Sequence, residues 1–435
     1  MEQILIWLGV AVLIGVIFIP YVRKFRRTHA IYAQRQEEAK AMGITRPRAQ
    51  FPMINRSLCI GCGACVDACP EEDVLGVVWG SADVINGERC VGHGYCERVC
   101  PVGAIKIGLG DIKTRPDIPI LTELNETTVP GIFIAGELGG LSLIRNAISQ
   151  GRMVVDEIAN RVGAPGASDV YHLVIVGAGP AGISAALTAT QHNLSYLMLD
   201  EGEIGGTILK YPRRKLVMTQ PVELPLYGWL KKDEYSKEFL VETWQDIRTR
   251  FELNVRSGLH VESVERVHNH FDIKAGDNSF SSRFVVLAMG RRGTPRKLEV
   301  PGEDLPKVMY QLIDAQSYTN QHMLVVGGGD SAVEAAVGLG KQPGNKVTIS
   351  YRKSGFFRVK KKNEVAIHRL IADKKVFAEF DSQVAEIKPQ SVVLQTKDGL
   401  KEIPNDFIIV QIGGIPPFEM LKQMGIAFGG ETRPI

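Results

Sequence analysis

No cysteine follows Cys100 in this chain of 435 residues. From Pro101 to Ile435 there is no thiol to serve as nucleophile, redox dithiol or metal thiolate. All seven cysteines lie between Cys59 and Cys100. A disulfide framework spreads through a fold, so this crowding excludes one and indicates metal ligation in a reducing compartment. A strong excess of either charge is also missing. The formal net charge is +3, and without a long basic stripe nothing marks a nucleic-acid surface. Solenoid repeats and low-complexity tracts are absent. Glycine, by contrast, is plentiful at 45 residues without a G-X-Y period. That pattern signals tight turns and close backbone approaches, as nucleotide-binding folds require.

The length allows two or three domains. Ile4 to Val22, ILIWLGVAVLIGVIFIPYV, carries no charge and is followed by RKFRR at 23–27. As a helix it would extend roughly 28 Å, near the thickness of a bilayer core. Positive charge on its C-terminal flank predicts that this side faces the cytoplasm. A cleaved signal would carry its positive charges first and end in small residues, so an uncleaved anchor is expected. The alternative is a buried helix. Residues 28–50 read as a polar helix spacing the body from the membrane.

SLCIGCGACVDACP, residues 57–70, sets Cys59, Cys62, Cys65 and Cys69 in C-x2-C-x2-C-x3-C-P. Three thiolates at this spacing converge on one [4Fe–4S] cube while the fourth reaches a second cluster. Zinc is the competing reading, although zinc cysteines usually come as separated C-x2-C pairs. CVGHGYCERVCP, residues 90–101, repeats the frame as Cys90, His93, Cys96 and Cys100, with histidine in the second place. Residues 51–110 resemble a bacterial-type two-cluster ferredoxin. The resemblance implies crossed ligation: Cys59, Cys62, Cys65 and Cys100 for one cluster, Cys90, Cys96 and Cys69 for the other. Three readings of His93 stand open. It ligates the fourth iron, or that corner is empty and the cluster is [3Fe–4S], or the second motif holds none.

HLVIVGAGPAGISAALTA, residues 172–189, reads as a strand, a G-x-G-x-x-G turn and a helix. In the turn Gly177, Ala178, Gly179, Pro180, Ala181 and Gly182, the first glycine makes the bend. The second admits a pyrophosphate, and the third lets the helix pack closely. The next strand ends at Asp200, with Glu201 beside it, placed to accept from a ribose hydroxyl. MLVVGGGDSAVEAAVGL, residues 323–339, is a second unit of the same kind: Gly327, Gly328, Gly329, Asp330 and Ser331 form its loop, and Ala332 takes the third glycine's place. Its following strand leads into Arg352 and Lys353, with Arg358 beyond. Cations there suit a 2′-phosphate and favour NADPH over NADH; the alternative is a solvated basic loop running through 360–362.

Two such units resemble the flavin-dependent disulfide reductase superfamily, in particular its thioredoxin-reductase-like branch. EIGGT at 203–207, with Gly205, Gly206 and Thr207, resembles the loop after the FAD ribose acid. LAMGRRGTP at 287–295, with Gly290, resembles the crossover between the two domains. TTVPGIFIAGELGGLSLIRNAISQG at 127–151 resembles the final FAD motif. By that resemblance Gly136 and Glu137 meet the ribityl–phosphate region, and the helix start at Leu143 and Ile144 faces the flavin ring. Glu137 stands where aspartate is commoner. Two departures follow. The final motif precedes the first glycine loop, and 406–428 resembles the stretch that ordinarily leads into it. A circular permutation is inferred, joined through GAPGAS at 163–168. The second departure is the missing dithiol, which excludes disulfide reduction through an internal pair.

The expected fold is therefore α/β: two Rossmann-like nucleotide-binding domains, a small α+β ferredoxin-like domain and one N-terminal transmembrane helix. The expected boundaries are 1–27 anchor, 28–50 helical linker, 51–110 ferredoxin domain, 111–294 FAD domain, 295–410 NAD(P)H domain and 411–435 return segment. The expected function is a membrane-anchored oxidoreductase passing electrons from NAD(P)H through FAD to two iron–sulfur clusters and on to a quinone or protein acceptor. Two alternatives stand: the same path run in reverse to reduce NADP+, or an electron-carrying or redox-sensing subunit of a membrane complex. No catalytic acid, base or nucleophile is nominated. The expected location is the inner membrane, single-pass, with the body in the cytoplasm; relatives imply a homodimer. The loop KYPRRK at 210–215 reads as solvated or as a dock for an acidic partner. His192, His260, His268, His270 and His368 show no partners in sequence. FDIKAG, VVLQTK and FAEFDS read as smaller antiparallel layers.

Overall fold

The computed structural model describes residues 2–41, 50–71, 73–109, 116–140, 143–162, 170–291, 293–356 and 359–430. Most side chains of 2–13 lie outside the described set, as do GAPGAS, Arg358 and much of the expected linker. The chain forms two compact units, 1–110 and 111–435.

The first unit begins with a single helix, α1 (Glu2–Ala41), which runs through Pro20. The sequence suggested a span ending near Val22 and a free polar spacer. The structure differs on the spacer. Among the described residues no helix is long and apolar enough to cross a membrane. The second half of α1 is also docked rather than free: His29 and Ala39 are buried, Arg35 pairs with Asp73, and Gln36 donates to Asp83 at 2.9 Å. A Cβ on Gly76 would stand 2.7 Å from the Tyr32 ring, so glycine is what lets the helix lie flat there.

Next come β1 (Gln50–Ile54), α2 (Ala64–Asp67), β2 (Leu75–Val78), β3 (Ser81–Val84), α3 (Tyr95–Arg98) and β4 (Ile105–Leu109). β1 and β4 pair antiparallel, Gln50 opposite Leu109, and β2–β3 is a hairpin. The core is small, with Val74, Leu75, Ala82 and Ile105 packed against Cys65 and Cys96.

In the second unit, β5 (Ile132–Ile134), α4 (Ile144–Arg161), β6 (Tyr171–Val176), α5 (Pro180–Gln191) and β7 (Tyr196–Asp200) come first. Two short hairpins pair β8 (Leu216–Met218) with β11 (Glu234–Ser236), and β9 (Val222–Leu224) with β10 (Gly228–Leu230). α6 (Lys237–Arg250), β12 (Val255–Ser257), β13 (Ser263–Val267), β14 (His270–Ala275) and β15 (Asn278–Leu287) follow. One seven-stranded sheet results, in the order β12-β7-β6-β15-β14-β13, with β5 on the second half of β15. β5, β6, β7, β12 and β15 are parallel, and apolar side chains cover both faces of the sheet. This two-sided burial explains the nearly continuous apolar runs in β6 and β7.

The segment before β6 is integral to this sheet. Val285 lies opposite Ile132. The Ile120 N–H donates to the Ala427 carbonyl at 2.9 Å, and the Ala427 N–H to Thr128 Oγ1 at 2.9 Å.

β16 (Thr294–Pro295), β17 (Val308–Met309), β18 (His322–Val326), α7 (Asp330–Gly340), β19 (Lys346–Tyr351), α8 (Lys361–Ala372) and β20 (Val376–Phe380) build the second nucleotide-type fold. β21 (Gln383–Ile387), β22 (Ser391–Thr396) and β23 (Gly399–Pro404) form an antiparallel layer; β24 (Phe407–Val410), β25 (Gly414–Ile415) and α9 (Phe418–Gln423) follow. The main sheet runs β17-β24-β18-β19-β20 with all pairs parallel. FAEF is thus a correction: it lies in β20, parallel to β19, because the α8 crossover returns the chain in the same direction. FDIK and VVLQT do lie in antiparallel pairs.

Candidate cofactor and cluster sites

At the first glycine loop, three strand ends stand side by side. The Ala288 N–H donates to the Val176 carbonyl at 2.7 Å, and the Ala135 N–H to the Leu287 carbonyl at 3.1 Å. Gly177 (φ 110°), Gly290 (φ 68°) and Gly136 (φ 90°) thereby cluster beyond β6, β15 and β5. A Cβ on Gly177 would meet the Ala288 carbonyl oxygen at 2.5 Å, and one on Gly182 would meet that of Gly177 at 1.9 Å. A Cβ on Gly179 would meet nothing within 4 Å. Two glycines are therefore forced by the fold, and the middle one is left facing open space. That is the cradle a pyrophosphate fills, at the start of α5 with its first-turn N–H groups.

Asp200 accepts from the Ala178 N–H at 2.6 Å and the Gly202 N–H at 2.7 Å. Its carboxylate braces the loop. The Gly205 N–H donates to the Ala178 carbonyl at 2.8 Å, which pins the EIGGT turn over the cradle. Gly206 stands close to Gly179, and half-buried Thr207 follows it. Glu201 pairs with His260 at 3.2 Å and Lys210 at 3.7 Å. Gly136 donates to Gln150 Oε1 at 2.8 Å. Glu137 is exposed. Leu143 caps α4 and Ile144 opens it. A Cβ on Gly151 would lie 2.2 Å from the Ala181 carbonyl oxygen, so α4 and α5 cross in close contact.

The second loop repeats the logic. A Cβ on Gly327 (φ 136°) would meet the Gln411 carbonyl oxygen at 2.3 Å, while one on Gly329 meets nothing. Ala332 is fully buried in the third glycine's place. Gly328 lies under the Tyr351 ring, 2.3 Å from where its Cβ would be. Asp330 was expected to touch cofactor, yet it accepts from the Lys360 N–H at 2.9 Å and Asn363 Nδ2 at 2.8 Å. It fastens the basic loop to α7. Ser331 is half-buried, Arg352 exposed and Lys353 half-buried.

KYPRRK is not a free dock. Arg213 pairs with Asp314 at 3.1 Å and Lys215 with Glu334 at 2.6 Å; the Arg213 N–H also donates to the Ile313 carbonyl at 2.9 Å. The loop strings the two nucleotide folds together. Several histidines read as lone are partnered as well: His192 meets Asp156 at 2.8 Å, His270 meets Asp272 at 3.2 Å, and His368 packs on Phe356. A groove of about 410 Å³ beside α4 and β9 includes none of the expected site residues.

In the first unit the two cysteine motifs share one backbone frame. Gly61 and Gly63 have φ of 67° and 80° around Cys62; Gly92 and Gly94 have 74° and 79° around His93. Each second glycine then caps a four-residue helix, α2 or α3. His93 therefore occupies the same backbone position as Cys62. The thiols fall into two groups. Burial, then the charges of Cys59 and Cys62, pushes Cys65 up to about 11. Burial, then the charges of Cys69 and Cys90, pushes Cys96 up to about 12. Burial raises Cys90 and takes Cys69 to about 11, with Cys90 and Glu71 among the causes. Cys59 goes the other way: burial opposes, but N–H groups of Ala82 and Gly61 and the Ser81 hydroxyl lower it.

N–H groups already point at sulfur, Ala82 to Cys59 Sγ at 3.3 Å and Ala104 to Cys100 Sγ at 3.2 Å. Such donors stabilise ligated thiolates and tune a cluster. Among the described residues no three His, Cys, Asp or Glu side chains could hold a single metal ion.

One residue escaped the sequence reading. Glu71 is buried, and its Oε1 lies 3.3 Å from His93 Nε2, itself buried. Its position next after a C-P pair was the only sequence signal.

Residues 174–435 match the family model described as pyridine nucleotide-disulphide oxidoreductase, and residues 51–101 match a 4Fe-4S dicluster domain. The chain is 27% identical to bacilliredoxin reductase Bdr of Bacillus subtilis, over 60% of this chain and 82% of that protein. It is 28% identical to a ferredoxin–NADP reductase of Ignicoccus hospitalis, over 59% of this chain and 82% of the relative. Among solved structures, bacillithiol disulfide reductase Bdr of Staphylococcus aureus aligns with a TM-score of 0.54 at 27% identity, covering 60% of this chain and 81% of the other.

Proposed function

The chain belongs to the pyridine nucleotide-disulphide oxidoreductase family, and from that premise we propose that it passes electrons from NADPH through FAD to two iron–sulfur clusters and on to a quinone or protein acceptor. That it is an NAD(P)H-dependent oxidoreductase with a dicluster domain is given by the matches themselves. One observation carries the finer reading: the nucleotide folds of this chain contain no cysteine, because its last one is Cys100 in the dicluster domain. When bound, FAD takes a hydride from the nicotinamide, and the clusters take single electrons.

The residues have distinct tasks. Gly177, Gly179 and Gly182 with Asp200 would hold FAD, completed by Gly205, Gly206, Gly290, Gly136 and the start of α4. Gly327 and Gly329 would hold NADPH, with Arg352 and Lys353 at its 2′-phosphate. Cys59, Cys62, Cys65 and Cys100 would hold one cluster, and Cys69, Cys90 and Cys96 the other, with His93 at its fourth corner. The placement of 116–161 within the sheet supports a permuted arrangement of the family fold. The relative named as a ferredoxin–NADP reductase keeps the reverse direction open as the second reading.

Under anaerobic conditions NADPH, and NADH less well, is expected to bleach the flavin and then generate cluster signals in electron paramagnetic resonance. Flavin reduction that leaves both clusters oxidised overturns the path. Membrane attachment rests on the uncharged run at 4–22 and RKFRR alone. The full chain should then sediment with membranes through a carbonate wash, and a chain lacking residues 1–27 should stay in the supernatant. Equal release of both removes the anchor.

A further inference from the structure

We propose that Glu71 is a positioning residue for the second cluster: it holds Nε2 of His93, so that Nδ1 would be the nitrogen offered to iron. The inference rests on the reading above that residues 90–101 help to hold a cluster.

Three observations converge on it. First, the flanking glycines give His93 the backbone frame of Cys62, a ligand position in the first motif. Second, Glu71 sits among the second group of thiols. Cys69 Sγ lies 3.2 Å from the Glu71 carbonyl oxygen, and the Glu71 charge bears on both Cys69 and Cys90. Third, His93 and Glu71 meet at 3.3 Å with side chains only 6% and 8% exposed.

A carboxylate buried beside thiolates is costly unless it is hydrogen-bonded. When ionised it can only accept, so the imidazole nitrogen facing it would then carry the proton. In a neutral ring that proton on Nε2 leaves the lone pair on Nδ1. Fixing the tautomer of a ligating histidine through a carboxylate, and raising its basicity, is the outer-shell role such pairs play at metal centres. The first motif has no need of it, since Cys62 is a thiolate ligand without a tautomer. Glu71 therefore makes histidine workable where cysteine stood in the repeat.

The test uses the reconstituted full chain in five forms: wild type, Glu71→Gln, Glu71→Ala, His93→Cys, and His93→Cys with Glu71→Gln. Electron–nuclear double resonance on protein carrying 15N-histidine reads the ligand directly, and a redox titration reads the cluster. Wild type should show a strong 15N coupling on one cluster. Glu71→Ala should weaken that coupling and lose the corner iron to a chelator about tenfold more readily, giving a [3Fe–4S] signal. Glu71→Gln should retain the iron and raise the potential. That rise should shrink when His93 is already Cys, because only through-space charge then remains.

Unchanged 15N coupling in both single variants overturns the proposal. So does an equal potential shift with and without His93. Iron for only one cluster in the wild type, roughly four atoms, would instead overturn the two-cluster reading itself and with it this inference. Two clusters without histidine coupling would overturn the inference alone.

Discussion

Glycine-to-alanine changes at 179 and 182 should both cost the protein its flavin, but for different reasons that can be separated by melting. At Gly182 an added Cβ would lie 1.9 Å from the Gly177 carbonyl oxygen and 3.0 Å from its carbon. Those are backbone atoms of the loop itself and cannot swing aside. The helix α5 must move off β6, in a region where Ile183, Ala185, Ala186 and Leu173 are fully buried. Overpacking of this kind costs about 1–3 kcal/mol and often more when backbone must shift. Gly182→Ala should therefore purify colourless, with a lowered melting temperature even in the absence of added FAD. Gly179 has an ordinary extended conformation (φ −79°) and faces open space. Alanine there should leave the melting of the FAD-free protein unchanged. It should nevertheless weaken FAD binding by roughly 10- to 100-fold, the value of one or two charge-assisted hydrogen bonds lost to a methyl group in the cradle. Stoichiometric FAD in purified Gly179→Ala would mean that the phosphates do not sit over this loop.

Features set by local geometry were readable in the sequence. The glycine loops, the strand before each and the two cysteine frames all announced themselves. Each demands a particular residue type at a fixed offset, and few other residues satisfy it. The α/β class, the two nucleotide folds and the antiparallel pairing of FDIK and VVLQT followed from the same local signals. What escaped depends on partners distant in the chain. Nothing in KYPRRK says that Arg213 will meet Asp314, or that Lys215 will meet Glu334. A cluster of cations reads alike whether it faces water or its own domain. The bracing by Asp330 escaped for a related reason: an acid just after a glycine loop suggests a ligand, and nothing local says that it fastens Lys360 and Asn363. The direction of β20 turned on the crossover before it, which strand composition does not encode. Glu71 was invisible because burial of a carboxylate is a tertiary fact. The contacts of Arg35 with Asp73 and of Gln36 with Asp83 likewise made part of the fold from what read as a spacer.

Replacing Cys69 by serine should remove the cluster that belongs to the other motif. By sequence Cys69 closes the first motif, so a simple reading assigns it to Cys59, Cys62 and Cys65. The charge environment divides the thiols otherwise. Cys96 is raised by burial and then by Cys69 and Cys90, with Cys65 the weakest contributor. Cys65 answers to Cys59 and Cys62. Cys69 itself is raised by burial, and by Cys90 ahead of Cys65, so it stands nearer the second group, where it can bridge the motifs as crossed ligation requires. Cys69→Ser should lose about half the iron, together with any histidine-coupled signal, while the first cluster's spectrum persists. Cys100→Ser should do the reverse, losing the first cluster and keeping the histidine-coupled one. Flavin reduction by NADPH should survive in both, since neither cysteine lies in the nucleotide folds. If Cys69→Ser instead removes the first cluster and leaves the histidine coupling intact, ligation is not crossed. Each motif would then serve its own cluster, and His93 would have to share its iron–sulfur centre with Cys90, Cys96 and Cys100.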